Sequence, residues 1–252
     1  MNTHLRAIAQ KTLAALAWGL VLSAQPIAAQ ESSHEPHMLQ EEDGFVWYKM
    51  RANGACQVLD ANRKVIIPGT RGYTSCSYVN RGGYFKTVKW ITVNGTSVGS
   101  YGICLKDGTE ILPVSRGYTQ CYRNKANSRY SVKKGEYVGV CDSTGAEIIS
   151  PDRGYTQCTR NRQFYQVSNG NYTGMCDYQT GAELISPKRK YTSCRYNPAW
   201  KCFCVKKGER SGACSLDGKE IVSPVWYSCI FNTTTKKWKG KRTLNSPWEN
   251  IH

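Results

Sequence analysis

The chain has 252 residues, and its 34 Lys and Arg against 18 Asp and Glu give a formal net charge of +16. Such a charge favours anionic partners without indicating any particular fold. The four histidines are His4, His34, His37 and His252. The long central part of the chain therefore lacks the histidine base that Ser and Cys nucleophiles use, and we expect no enzymatic activity and no cofactor.

The first 29 residues have the pattern of a secretory signal peptide. Arg6 and Lys11 precede or flank a short apolar run, and Ala28-Ala29 offers small residues for cleavage. The run is shorter than the roughly 20 residues of a membrane span, and no other stretch of the chain reaches that length. We therefore predict a signal peptide over residues 1–29 and a secreted or periplasmic protein.

Composition divides the rest of the chain into three segments. Residues 30–44 are acidic and polar and include Pro36, which is typical of a disordered leader. Residues 45–231 contain five repeats, and residues 232–252 form a basic C-terminal tail. The tail carries Trp238 among Lys236, Lys237, Lys239, Lys241 and Arg242.

Each repeat is organised around a Gly-x-Cys tripeptide. In the last four repeats a Gly-containing turn follows it, then Glu with two aliphatic residues. A second cysteine closes all five repeats. The first cysteine recurs at intervals of 48, 37, 35 and 38 residues, which is typical of a repeat array. The stretch before each later tripeptide alternates apolar and polar residues, as Tyr130 and Val132 do, and this period of two indicates a strand.

Glycine and proline set the ends of the predicted strands. The glycines supply the positive φ of tight hairpins. Proline cannot donate to a β-ladder, so Pro113, Pro151, Pro187 and Pro224 are expected to end strands. The second repeat carries an insertion over residues 89–97, which we expect to be a surface loop. The fold is thus predicted to be all-β, with five units of short antiparallel strands in an open curved hairpin stack, or alternatively a five-bladed β-propeller.

The repeats resemble the WG repeat, an all-β repeat of bacterial secreted and envelope proteins. Residues 135–151, Gly-Glu-Tyr-Val-Gly-Val-Cys-Asp-Ser-Thr-Gly-Ala-Glu-Ile-Ile-Ser-Pro, carry the likeness. The Trp before the second Gly is replaced here by Val138, Thr173 or Ser211. The resemblance extends over about residues 45–231 and implies a binding or scaffolding role without catalytic residues.

Ten of the twelve cysteines form recurring pairs, and we predict one disulfide in each repeat. The predicted pairs are Cys56/Cys76, Cys104/Cys121, Cys141/Cys158, Cys176/Cys194 and Cys214/Cys229. A bridge over such a loop stabilises a fold by about 3 kcal/mol in the chain-entropy model. Pairing between neighbouring repeats, such as Cys121 with Cys141, is the competing pattern.

The two remaining cysteines are Cys202 and Cys204. Residues two apart on a strand are too far apart for a disulfide unless the strand bends, so we expect free thiols or a link to another chain. The spacing of the cysteines does not match a zinc site, and no metal is predicted. The repeated Glu110, Glu147, Glu183 and Glu220 are expected to pair with a neighbouring Lys or Arg rather than to catalyse.

A basic and aromatic phrase precedes the second cysteine of the first four repeats and is the predicted binding site. Arginine offers a planar fork to anions, and tyrosine offers a flat face to a sugar. The predicted site residues are Arg71, Tyr73, Arg116, Tyr118, Arg153, Tyr155, Lys190 and Tyr191. The opposing interpretation places the tyrosines in the core and the arginines in solvent.

The sequence therefore favours a non-catalytic module that binds an anionic polymer. Because an export signal is present, an envelope polysaccharide or lipopolysaccharide is favoured over nucleic acid. A structural or adaptor protein of the cell envelope, acting through protein–protein contacts, is the alternative. The oligomeric state is not predicted, although Cys202 or Cys204 could link two chains.

Overall fold

The computed structural model describes residues 37–49 and 54–251 of the chain. The predicted signal peptide and residues 30–36 of the predicted leader lie outside these described residues. The described part is all-β, with 23 strands in six antiparallel sheets and five short 3-10 segments. None of its helical segments has the length and apolar composition that crossing a membrane requires.

The chain divides into two compact units, one ending at Gly72 and one beginning at Tyr73. The described part of the first unit contains sheet 1, whose four strands pair in the order of the sequence, and the 3-10 segment Gly69–Arg71. Its strands are β1 (His37–Glu42), β2 (Phe45–Lys49), β3 (Cys56–Asp60) and β4 (Val65–Ile67).

Strand β1 corrects the prediction of a disordered leader for residues 37–44. Glu42 pairs with Phe45, and the two residues between them, Asp43 and Gly44, have φ values of 53° and 77°. Two consecutive residues with positive φ form the tight turn that suits a β-hairpin. The Asp-Gly dipeptide before the alternating Phe45 and Trp47 was the sequence signal for this hairpin.

The second unit consists of sheets 2 to 6, which also pair in sequence order. Sheet 2 contains β5 (Ser75–Val79), β6 (Tyr84–Val93), β7 (Thr96–Leu105) and β8 (Glu110–Leu112). Sheet 3 contains β9 (Gln120–Asn124), β10 (Arg129–Lys134), β11 (Tyr137–Cys141) and β12 (Glu147–Ile149). Sheet 4 contains β13 (Gln157–Asn161), β14 (Phe164–Asn169), β15 (Tyr172–Asp177) and β16 (Glu183–Ile185).

The last two sheets follow the same course. Sheet 5 contains β17 (Ser193–Asn197), β18 (Cys202–Lys207), β19 (Arg210–Cys214) and β20 (Glu220–Trp226). Sheet 6 has three strands, β21 (Ser228–Asn232), β22 (Lys237–Lys241) and β23 (Glu249–Ile251). The prediction of a separate basic tail is therefore wrong, because β22 and β23 complete this sheet.

The sheets are offset from the repeats of the sequence. Cys121, the second cysteine of one repeat, lies on β9, where it pairs with Val132 of β10. Val132 pairs in turn with Gly139 of the next Gly-x-Cys tripeptide. Each of sheets 2 to 5 therefore joins the final strand of one repeat to the first three strands of the next.

The turn and proline predictions hold with two exceptions. Pro113, Pro151 and Pro187 each come directly or one residue after a strand and begin or precede a 3-10 segment. Pro224, in contrast, lies inside β20. The predicted loop at residues 89–97 is instead an extension of the β6–β7 hairpin, which pairs without a break to Val93 and Thr96.

Consecutive sheets of the second unit pack face to face. Ile103 and Leu112 of sheet 2 pack against Tyr130 and Val132 of sheet 3. Equivalent clusters join sheet 3 to sheet 4, sheet 4 to sheet 5, and sheet 5 to sheet 6. The predicted strand face of Tyr130 and Val132 is thus confirmed as a core face, since both residues are buried.

Glycines allow the sheets to approach closely. Gly181 has a φ of 68°, and a methyl group added to it would overlap the carbonyl oxygen of Ile148 in the preceding sheet. Gly145 and Gly218 make the same approach to Ile111 and Leu184. Within sheets 2 to 5, the glycine of the Gly-x-Cys tripeptide approaches the neighbouring short strand, as Gly139 does at Ile149.

We predict that Gly181→Ala lowers the free energy of unfolding by about 3 kcal/mol or more, from positive-φ strain plus overpacking. Gly170→Ala is the matched control. Its φ is 57°, but nothing lies within 4 Å of an added methyl group, so only about 1 to 2 kcal/mol should be lost. Urea unfolding measures both. Equal losses in the two variants would contradict the close approach between sheets.

Candidate functional site

The Arg-Gly-Tyr phrase of the predicted site connects one sheet to the next. Arg116 ends the 3-10 segment Val114–Arg116, and Gly117 follows it with a φ of 72°. This left-handed conformation suits glycine and directs Tyr118 back toward the core. Arg153 and Gly154 repeat this geometry after sheet 3.

The tyrosines of the phrase are core residues, which corrects the prediction that their rings face a ligand. Tyr118 is 1% exposed, and its hydroxyl donates to the Glu147 carboxylate at 2.5 Å. The sulfur of Cys141 lies 3.6 Å from the same hydroxyl. Equivalent bonds join Tyr73 to Glu110, Tyr155 to Glu183 and Tyr191 to Glu220.

This hydrogen bond also corrects the predicted role of the repeated glutamates. Each of them accepts a tyrosine hydroxyl rather than pairing with Lys or Arg. Burial, and then the bond to Glu147, raise the pKa of Tyr118 far above its usual range, and the same causes act on Tyr73 and Tyr155. The phenols therefore stay protonated and donate at any ordinary pH.

The arginines of the phrase hold the turn of the following sheet. Arg116 donates to the carbonyl oxygen of Gly145 at 2.5 Å, and Arg153 donates to that of Gly181 at 2.5 Å. In the fourth phrase Arg189 makes this bond, to Gly218 at 2.6 Å. The residue predicted from the sequence was Lys190 instead. Lys190 occupies the glycine position of the phrase, with a φ of 62°.

The eight predicted residues therefore do not form one binding surface. Arg71 ends a 3-10 segment in the first unit, and the four tyrosines are buried. Arg153 and Lys190 are exposed, and the structure brings these two to the same place.

Arg153 and Lys190 line an open cavity of about 490 Å³ beside sheet 4. Lys188 adds a third cation, the buried Tyr155 reaches the cavity from the core, and the exposed Glu183 also lines it. The remaining lining residues include Asn169, Asn171 and the 38% exposed Tyr172. We call this cavity the basic groove.

The groove differs from the equivalent place on sheet 3. There Lys134 forms an ion pair with Asp152 at 3.1 Å. Asn169 and Lys188 occupy the corresponding positions beside sheet 4, and in the described part of the chain Lys188 forms no ion pair. Three cations, two side-chain amides and one exposed ring can bind a carboxylate, sulfate or phosphate attached to a sugar.

Sequence reasoning missed Lys188, Asn171 and Tyr172 because none of them belongs to the repeated phrase. Tyr172 could have been found from its place at the start of β15, next to the Asn169-Gly170 turn. Its neighbours Thr173 and Gly174 are progressively more buried, which leaves the first residue of the strand at the rim.

The basic residues near the C-terminus contact aromatic rings of the protein itself. Trp238 packs edge-on against Trp200 at 5.6 Å and so is part of the core between sheets 5 and 6. Arg242 lies over Trp226 at 4.9 Å and also pairs with Glu249. The contacts of Trp238 and Arg242 therefore join sheet 6 to sheet 5, and these two residues serve the structure rather than a ligand.

No disulfide joins any of the twelve cysteines in the structure, so the prediction of one disulfide in each repeat is wrong. Cys141 lies in the core between sheets 2 and 3, whereas Cys158 lies in the core between sheets 3 and 4. Sheet 3 therefore separates the two sulfurs. The competing bond between neighbouring repeats, from Cys121 to Cys141, is not formed either.

The other four predicted disulfides are not formed either, and the two cysteines of each pair belong to different sheets. Cys56 lies on β3 of sheet 1, whereas Cys76 lies on β5 of sheet 2. Cys104 lies on β7 of sheet 2, whereas Cys121 lies on β9 of sheet 3. The remaining two pairs, Cys176 with Cys194 and Cys214 with Cys229, are divided between sheets 4 and 5 and between sheets 5 and 6.

The cysteines of the described chain do not form a metal site either, since no three His, Cys, Asp or Glu side chains there are placed to share an ion. Most of the thiols are buried, and burial is the main cause that raises the pKa of Cys121 and Cys158 to about 12 and that of Cys176 to about 11. They act as small apolar core residues.

We predict that Tyr155→Phe lowers the free energy of unfolding by about 1 to 2 kcal/mol, because Glu183 loses a donor in a charge-assisted bond. Tyr172→Phe removes an exposed hydroxyl and should change stability by less than about 0.5 kcal/mol. Urea unfolding at pH 7 compares the two. A Tyr155→Phe protein as stable as the parent would show that the bond contributes nothing.

No protein-family profile and no curated protein matches the chain. Among solved structures, a crystal structure of the eukaryotic initiation factor is 11% identical, with a TM-score of 0.32 over 81% of this chain and 69% of that one. An extracellular domain of a putative one component system from B. thetaiotaomicron is 10% identical, with a TM-score of 0.27 over 81% of this chain and 31% of that one. Kluyveromyces lactis Hsv2p is also 10% identical, with a TM-score of 0.27 over 81% and 70%.

Proposed function

We propose that the protein is an exported, non-catalytic binding module for an anionic polymer, such as an envelope polysaccharide, and that the basic groove of sheet 4 is its contact site. The observation that carries the proposal is the convergence of Arg153, Lys188 and Lys190 on one open cavity. The exposed ring of Tyr172 at its rim adds an apolar face for a sugar.

The charges of the groove support an anionic ligand. Glu183 is the acidic residue among its lining side chains, and this carboxylate already accepts the Tyr155 hydroxyl. Lys188 and Lys190 are exposed, so binding an anion would not require them to give up an internal partner. Exposed cations attract polyanions over about one Debye length, roughly 8 Å at physiological salt.

A polymer is favoured over a small anion because the groove is open along one side and the chain carries a large excess of positive charge. The predicted signal peptide favours an extracytoplasmic polysaccharide or lipopolysaccharide over nucleic acid. The WG-repeat resemblance supports a binding role without catalysis, and the described chain has no histidine between Met38 and Ile251 to serve as a base.

The alternative is a structural or adaptor protein of the cell envelope that acts through protein–protein contacts. The extended β6–β7 hairpin favours it, since Ile91 (46% exposed) lies opposite Val98 (40% exposed) on one face and Trp90 is 50% exposed on the other face. Exposed aromatic and aliphatic side chains near one another are typical of protein contact surfaces.

We predict that Lys188→Ser with Lys190→Ser weakens binding of polygalacturonate or dextran sulfate about tenfold at 0.1 M salt. The dependence of log affinity on log salt should also become shallower, because fewer counterions are exchanged. Lys125→Ser with Lys219→Ser removes the same charge from exposed positions away from the groove and is the control. Isothermal titration calorimetry over a salt series measures both, with neutral dextran as the negative ligand.

Equal weakening in the two double variants would show that binding depends on net charge rather than on the groove. Unchanged binding in the variant with Lys188 and Lys190 replaced would show that the groove is not the binding site. Arg116 and Arg153 are poorer first tests, because each donates to a carbonyl of the next sheet. The adaptor alternative predicts a partner that stays bound at 1 M salt and is lost in Trp90→Ser.

A further inference from the structure

Cys204 occupies a special position in the pairing pattern of the sheets. It lies opposite Ala213, the middle residue of the Gly-x-Cys tripeptide of sheet 5. The residues at this position in sheets 2, 3 and 4 are Lys86, Ser131 and Gln166. This position is therefore polar in the other sheets, and only in sheet 5 of these four is it a thiol.

Cys229 lies on the facing surface of the next sheet. It is the second residue of β21, the place that Cys121 has on β9. In the earlier layer, the Lys86 ammonium is near enough to Cys121 to lower its pKa against the larger effect of burial. By the same geometry, Cys204 faces Cys229 across the layer between sheets 5 and 6.

Both thiols line one open cavity of about 500 Å³. Its other lining residues include Arg195, Lys206 and Trp200. The residue opposite Cys204 is Ala213, which is smaller than the Ile103, Val140 or Met175 of the other sheets. The small side chain leaves space in this layer, so a reagent from solvent can approach the two sulfurs.

A third thiol belongs to the same layer. Cys202 is buried, and its hydrogen bond to Cys204 is the main cause that lowers the pKa of Cys204, with a further contribution from Asn197. The pKa of Cys202 is raised, first by that bond and then by burial. Burial raises the pKa of Cys229 to about 11. Among these three, Cys204 is thus the thiol most readily deprotonated and the better nucleophile near neutral pH.

We propose that Cys204 and Cys229 are a thiol–disulfide exchange site, in which Cys204 attacks an incoming disulfide and Cys229 resolves it to a bond joining sheet 5 to sheet 6. With oxidised glutathione, the Cys204 thiolate attacks one sulfur and releases one glutathione thiolate. Cys229, after losing its proton to solvent, attacks the Cys204 sulfur and displaces the second glutathione. The two cysteines lose two electrons and two protons, and two molecules of reduced glutathione form.

Sheet 6 gives this bond a physical purpose. It has three strands and no Gly-x-Cys tripeptide, so it lacks the tyrosine–glutamate bond that fastens each earlier sheet of the second unit. A disulfide from Cys204 to Cys229 would fasten it covalently, and reduction would release it.

The test uses the full-length protein, reduced and then equilibrated with a series of oxidised and reduced glutathione mixtures before acid quenching and tryptic digestion. Trypsin releases residues 202–206, Cys-Phe-Cys-Val-Lys, and residues 220–236, which contain Cys229. We expect these two peptides to be linked before any other pair. The same linkage should form in Cys202→Ser, and Cys229→Ser should instead accumulate glutathione on Cys204.

Three outcomes would overturn the proposal. The first is a peptide 202–206 that is two hydrogens lighter and unlinked, which would mean a Cys202–Cys204 bond. The second is a chain dimer on a non-reducing gel. The third is measured in the parent protein and so does not depend on whether a variant folds. Cys204 should react with iodoacetamide at pH 7.5 at least tenfold faster than Cys121. Equal rates would show that Cys204 has no special reactivity.

Discussion

The hydrogen bond from a buried tyrosine hydroxyl to the glutamate of the following sheet is the interaction on which the repeat depends. Burying a phenol hydroxyl in a core destabilises the folded state unless a protein partner replaces the hydrogen bond that the hydroxyl makes to water. Tyr118 can meet this need only when sheet 3 supplies Glu147, and Arg116 then reaches Gly145 of the same turn. Each connecting segment is therefore satisfied by the sheet after it, which explains why the sheets stack in order.

Sheet 6 shows what happens where the tyrosine and its glutamate partner are absent. Sheet 6 has no fourth strand, and Glu249 of its last strand pairs with Arg242. The position three residues before its cysteine is Trp226 rather than tyrosine. Tryptophan packs there against Gly240 without needing a carboxylate. At the position of the arginine in the phrase stands Pro224, which cannot donate a side-chain hydrogen bond to a turn of the next sheet. With neither contact required, no 3-10 segment forms, and β20 continues to Trp226.

Much of the fold could be predicted because strand alternation, turn glycines and the repeat period are local properties of the sequence. These properties predicted the all-β class. They also predicted that the glycine of the Gly-x-Cys tripeptide lies close to a neighbouring strand. The burial of Tyr118 and the separation of Cys141 from Cys158 could not be predicted, since both depend on which face of a sheet meets which neighbour. The boundaries of the sheets could not be predicted either. A repeat period gives the length of a unit but not the strand at which each unit starts.

Residues that recur in every repeat maintain the stack, so function is to be sought where repeats differ. The middle residue of the 3-10 segment is Ser115 after sheet 2, Asp152 after sheet 3 and Lys188 after sheet 4. These residues share one backbone position yet change the local charge from neutral to negative to positive. Only the last creates a basic groove, and Cys204 departs from its equivalents in a similar way. The arginines and tyrosines recur because every sheet has the same structural requirement. The residues of a binding site on one sheet need to appear only once in the sequence.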